Sequence, residues 1–184
     1  MAALKGFNAS LRDAETAYLQ AIMGTPTRTP TFVDLPREWW HDSWFKDGAK
    51  RQIPKYDRLH CRLLKALYGH PEAGAHWEVR LDDIMKNLGW APIPGTGGTY
   101  THAKAGAAMV VYVDDMVMLF APRDTDKLWR ALGKSVDYKD PEAPIARYLR
   151  ALYKFDAFDE KKPKAPRSML TSMDDYVANA VQRF

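Results

Sequence analysis

The chain has 184 residues, 46% hydrophobic and 12% aromatic, which suffices for one packed domain and excludes a wholly disordered chain. With 27 Lys and Arg against 23 Asp and Glu, the formal net charge is +4, a mild excess that suits a polyanionic partner and equally suits an ordinary solvated surface. The lone Cys61 excludes an intramolecular disulfide and a thiolate zinc cage, the five His lack ligand spacing, no apolar run is long enough to span a bilayer, and the start has no signal-peptide core, so a reducing, non-secretory location is expected.

In chain order, residues 7–12 suit a short strand, and 14–23 read as a helix that Asp13 precedes. Residues 24–30 form a Pro/Thr loop, and 31–35 a strand stopped by Pro36. The stretch 36–54, with Trp39, Trp40 and Trp44 among charges, has no assignable pattern. An apolar run at 63–68 ends at the turn signal Gly69-His70-Pro71. Trp77, Leu81, Ile84, Met85 and Leu88 then fall at helical spacing over 73–88, closed by Gly89 as a C′ residue. After a Gly/Pro loop at 92–98, strands are expected at 99–101, 107–113 and 116–120. The last two enclose only Asp114-Asp115, which reads as a hairpin with an acidic two-residue tip. An amphipathic helix is expected at 124–132, a charged Pro-rich loop or hairpin turn at 159–168, and a helix at 172–184 with Ser172 as N-cap and Asp174 and Asp175 in its first turn. There is no internal repeat.

The acidic hairpin carries the sharpest chemical signal. Adjacent carboxylates repel and are held together most easily by a cation, and hard oxygen donors select Mg²⁺ or Mn²⁺ over softer metals. Phosphoryl transfer uses such ions to lower the pKa of an attacking hydroxyl and to neutralise a leaving pyrophosphate. Aspartate is also common in hairpin turns, and on the tetrapeptide alone the two readings are even. Asp13, at an expected strand-to-helix junction, is the candidate third carboxylate; taken alone it reads as an ordinary helix N-cap.

The ordered pattern is more specific. Asp13-Ala14-Glu15-Thr16-Ala17-Tyr18-Leu19 resembles the first catalytic motif of copia-type LTR-retrotransposon reverse transcriptases, an Asp-hydrophobic-Lys-Thr-Ala-Phe-Leu string. Leu67-Tyr68-Gly69-His70-Pro71-Glu72-Ala73-Gly74-Ala75-His76-Trp77 is similar to their Leu-Tyr-Gly-Leu-Lys-Gln-Ala-Pro-Arg-Ala-Trp segment, and Tyr112-Val113-Asp114-Asp115 to their catalytic hairpin. Arg147-Tyr148-Leu149-Arg150 resembles a later Tyr-Phe-Leu-Gly block, and Asp175-Tyr176 through Arg183-Phe184 the helix that enters the thumb. The blocks occur in family order along nearly the whole chain.

The resemblance implies an α/β fold in the α+β sense: a polymerase palm-like antiparallel sheet with helices packed on one face. Residues 1–184 would be a partial palm region, with basic fingers residues upstream and a thumb and RNase H domain downstream. It implies RNA-directed DNA polymerase (nucleotidyltransferase) activity within a transposable element that also carries DNA integration. Asp13 and Asp114 would hold two Mg²⁺ (or Mn²⁺) ions with help from Asp115. Ala14, Tyr18, Gly69, Glu72 and Tyr112 would contact the deoxynucleoside triphosphate, Tyr18 as the aromatic gate against a ribose 2′-hydroxyl. The implied partners are an RNA or DNA template with its primer, with no membrane involved. The implied location is a cytoplasmic virus-like particle or the nucleus. Trp77 reads as helix packing, and the early tryptophans as core or loop packing rather than base stacking. Arg12 replaces the apolar residue usual before the first aspartate, which predicts a less buried strand. Glu72 stands where Gln is commoner, which places a carboxylate near a triphosphate. A second reading keeps the ancestry but not the activity: an inactive relic that binds nucleic acid or protein, if anything.

Overall fold

In the computed structural model, residues 8–23, 30–120, 125–144, 147–149, 151–155 and 168–182 are described. The elements are β1 (Asn8–Ala14), α1 (Ala17–Gln20), β2 (Phe32–Asp34), three 3-10 turns (Arg37–Trp39, Asp42–Trp44, Gly48–Lys50), β3 (His60–Arg62), α2 (Ala73–Asn87), β4 (Ala91–Pro92), β5 (Thr99–His102), β6 (Ala107–Tyr112), β7 (Asp115–Phe120), α3 (Thr125–Leu132), β8 (Tyr138–Pro144), β9 (Arg147–Tyr148), β10 (Ala151–Phe155), β11 (Met169–Ser172) and α4 (Asp174–Val181). A six-stranded sheet runs in the order β4-β5-β6-β7-β1-β8, with every neighbouring pair antiparallel. This is an α+β architecture, as the sequence implied. A three-stranded sheet, β11-β10-β9, and a β2-β3 ribbon stand beside it.

Strand alternation sorts the central sheet into two faces. On one, Ser10, Arg12 and Ala14 of β1 register with Met118, Met116 and the start of the hairpin, beside Met109 and Val111 of β6. Against this face pack Trp77, Leu81 and Met85 of α2 and Trp129 and Leu132 of α3, in one buried cluster. Met85, Met109, Met116 and Met118 are all fully buried, in one cluster with Trp77, Trp90 and Trp129, where unbranched thioethers suit irregular space. Each such side chain contributes about 1.5–3 kcal/mol by leaving water. On the other face lie Leu11 and Asp13 of β1, Asp115, Val117 and Leu119 of β7, and Val110 and Tyr112 of β6, with Val117 buried there.

Several expectations are corrected. The hairpin loop is Val113-Asp114, not Asp114-Asp115, because Tyr112 and Asp115 form the last registered pair and draw Asp115 into β7. The expected helix at 14–23 shrinks to four residues: β1 is paired on both sides and stays extended through Ala14, and Thr16 at φ +48° turns the chain. Asp13 is therefore a strand residue, not an N-cap. Arg12 does not loosen the strand. Ser10 and Ala14 are buried, and the Arg12 guanidinium lies half-buried over the rings of Trp129 (5.0 Å) and Tyr138 (4.4 Å). The last helix starts at Asp174 with Met173 at its N-cap position, while Ser172 ends β11; the Ser172 hydroxyl still accepts the Asp174 N–H (3.2 Å). Residues 159–167, within the stretch expected as a loop or hairpin turn, lie outside the described residues, and the strands flanking them, β10 and β11, pair antiparallel. Gly89, at φ +85°, closes α2 as expected, its N–H bonding to the Lys86 carbonyl (3.0 Å). Trp40 is buried and donates to the Leu35 carbonyl, whereas Trp39 is 73% exposed.

The Trp129 indole N–H donates to the Ser10 hydroxyl (2.8 Å) inside the core and ties α3 to the middle of β1. Ser10→Ala leaves that buried donor unsatisfied. It is expected to lower the unfolding free energy by about 1–3 kcal/mol, seen as a lower urea midpoint with an unchanged slope. An unchanged midpoint would mean that the bond contributes nothing net.

Candidate active site

The β1–β7 register sets Asp13 opposite Asp115 on the sheet face away from the Trp77 and Trp129 cluster. Asp114 sits beside them in the turn, and its carbonyl accepts the Ala14 N–H (2.7 Å). Three carboxylates, one near the start of the chain and two from its middle, thus share one end of the sheet. Their electrostatic coupling is direct. Burial first, then Asp114, raises the pKa of Asp13 above the ordinary carboxylate value of 3.8; Lys139, its register partner on β8, offsets part of this and Glu15 adds to it. Asp115 is likewise raised, by burial first, then by Asp114 and Asp13.

The turn itself is unusual. Val113 has φ +57° and Asp114 does not share the positive sign, the pattern of a type II′ turn, which favours Gly where Val113 stands. A β-branched residue there costs on the order of 1–3 kcal/mol and persists only where its surroundings impose it. The Val113 carbonyl accepts the indole N–H of Trp77 (2.7 Å), a residue only 3% exposed on α2. Trp77 is thus helix packing, as expected, with a second attachment to the acidic turn.

Tyr18 and Tyr112 line a half-open cleft of about 300 Å³, together with Trp77, Glu78, Tyr100 and Val113. The Tyr18 ring lies 4.7 Å from that of Tyr68, tilted by 45°. Burial, then Asp114, Tyr18 and Asp13, raises the Tyr68 hydroxyl pKa, so this half-exposed phenol stands within the field of the acidic group. The other expected nucleotide contacts are placed apart from the cleft lining. Ala14 buries its methyl in the core and uses its N–H on Asp114. Gly69 is exposed at φ +89° with open space around it. Glu72 is exposed just before α2, its carboxylate 3.9 Å from His76. Sequence reasoning missed Tyr68, Lys139 and Tyr148. Tyr68 lay inside a quoted motif without being singled out, and Lys139 carried no signal. Tyr148 has its pKa raised by burial, then by Asp115, Tyr153 and Tyr112, which sets β9 beside the acidic end of the sheet.

Among the described residues, no three His, Cys, Asp or Glu side chains stand as a ready-made metal-holding group. Asp13, Asp114 and Asp115 are coupled by charge rather than already converged on one point. Their donor chemistry nevertheless fits a hard divalent cation: all the donors are carboxylate oxygens, and a cation would offset the burial and the repulsion that raise Asp13 and Asp115. A scan against protein-family models gives no match. No curated protein matches the chain either.

A raised carboxylate pKa means that the fold binds the proton more tightly than the unfolded chain does. Stability from Asp13 and Asp115 is therefore fully present below pH 3.8 and lost as pH rises through their elevated values. Asp13→Asn and Asp115→Asn are each expected to stabilise the protein at neutral pH. Solvent screening keeps the gain to about 1 kcal/mol or less, and it should vanish in acid. Urea unfolding at two pH values reads this directly, and a gain that persists in acid would refute the electrostatic account.

Proposed function

We propose that this chain is the palm region of a copia-type reverse transcriptase, an RNA-directed DNA polymerase that joins a primer 3′-hydroxyl to the α-phosphate of a deoxynucleoside triphosphate. The observation that carries the reading is the register of Asp13 against Asp115, with Asp114 held alongside, at one end of an antiparallel sheet. Asp13 and the Asp114-Asp115 pair, far apart in sequence, come to one sheet end, which supports a carboxylate metal site there. The helices packed on the opposite face give that end a rigid floor.

Asp13, Asp114 and Asp115 would hold Mg²⁺ or Mn²⁺, which when bound supplies activation of the primer hydroxyl and charge neutralisation at the leaving pyrophosphate. The protein's own part is placement. The turn presents Asp114, and β1 and β7 present Asp13 and Asp115 from two paired backbones. Tyr18, braced against Tyr68, lies in the adjoining cleft, where its ring would limit the space beside the sugar C2′ position. A primer–template duplex would lie beside the carboxylate end of the sheet and be gripped mainly through its phosphates.

Two measurements test the reading. Mn²⁺ titration followed by the electron-spin signal of the free ion is expected to show a site whose affinity falls about tenfold or more in Asp114→Asn. Failure to find an Asp114-dependent site would remove the catalytic assignment. In primer extension on an RNA template, Tyr18→Ala is expected to raise ribonucleotide incorporation relative to deoxyribonucleotide. Unchanged discrimination would leave Tyr18 with a packing role only.

A further inference from the structure

We infer that Trp77 is a positioning residue for the acidic turn: its indole N–H, bonded to the Val113 carbonyl, holds Val113 in the left-handed region and so sets where Asp114 stands. The inference rests on the reading above, that Asp114 helps bind a divalent ion.

Three contacts restrain the Val113-Asp114 turn. The Tyr112–Asp115 pair closes it, the Ala14 N–H holds the Asp114 carbonyl at 2.7 Å, and the Trp77 indole N–H holds the Val113 carbonyl at 2.7 Å. The first two belong to the sheet ladder, and a relaxed turn of another type would keep them. Only the Trp77 bond acts on the residue whose φ of +57° is unfavourable for a β-branched side chain. Trp77 is itself immobilised, 3% exposed and in one buried cluster with Leu81 and Met85, so the anchor does not move with the turn. A rigid helix thereby dictates the backbone on which Asp114 is mounted, as outer groups orient metal ligands in general. The plainer account is that a buried indole needs some acceptor and this carbonyl was nearest. Trp129 supplies the comparison, being equally buried and satisfied by Ser10 at 2.8 Å away from the turn.

The experiment compares Trp77→Phe with Trp129→Phe. Both keep a ring and lose an indole donor, and Mn²⁺ affinity is the readout. Trp77→Phe is expected to weaken binding roughly tenfold, and Trp129→Phe to leave it within about twofold. Adding Val113→Gly to Trp77→Phe is expected to recover most of the loss, because glycine adopts positive φ without strain. Equal losses in the two Phe variants, or no recovery with glycine, would overturn the inference. Should Trp77→Phe fold poorly, replacing Trp77 by 3-benzothienylalanine, which exchanges the indole N–H for sulfur, carries the same comparison. A urea double-mutant cycle between positions 77 and 113 separates this inference from the function it rests on. Coupling of about threefold or more in the folding equilibrium constant is expected whether or not metal binds, and zero coupling refutes the clamp. Absence of Mn²⁺ binding by the unaltered chain would instead refute the functional reading and leave the cycle to decide whether Trp77 holds Val113.

Discussion

Everything at the acidic end of this molecule depends on one pairing, β1 against β7. It sets Asp13 across from Asp115, puts Ser10, Arg12 and Ala14 on the helix-covered face, and lets the Ala14 N–H reach past the strand end to Asp114. Slipping β1 by one residue would turn Ser10, Arg12 and Ala14 off the helix-covered face and bring Leu11 and Asp13 onto it. The cost of burying the Asp13 carboxylate in that core therefore enforces the carboxylate geometry. The core selects the register, and the register assembles the acidic group.

That group works against the fold. Burial and mutual repulsion raise the pKa of Asp13 and Asp115, and a valine sits where the backbone favours glycine. Strained backbone and perturbed ionisation are enriched at functional sites and occur in structural ion-pair networks as well. Lys139 across from Asp13 offsets part of the charge without occupying the group.

Much of this was legible in the sequence, for physical reasons. The apolar runs on either side of Tyr112-Val113-Asp114-Asp115 specify the hairpin, and the spacing of Trp77, Leu81 and Met85 specifies α2 and its buried face. The offset of the loop by one residue was not legible, since turn chemistry favours two aspartates at a tip and assigns no valine to positive φ. Tertiary pairing overrode both preferences. β8 escaped notice because Tyr138-Lys139-Asp140-Pro141-Glu142-Ala143-Pro144 is polar and carries two prolines; it is tolerated as a strand only at the sheet edge, where one side needs no partner. The reach of the Trp77 indole to the turn was invisible for a different reason, because helical periodicity tells which way a side chain faces and not which carbonyl it meets.

The position of β1 between β7 and β8 also has a consequence in time. The N-terminal strand is the last interior strand that can be placed, since both of its neighbours lie roughly a hundred residues or more downstream. During synthesis Asp13 emerges long before its partners exist, while the β6–β7 hairpin forms from local contacts and waits with an open edge. The acidic group is therefore completed only when β1 inserts. A partly folded chain that lacks this strand carries Asp114 and Asp115 on the hairpin and lacks the third carboxylate.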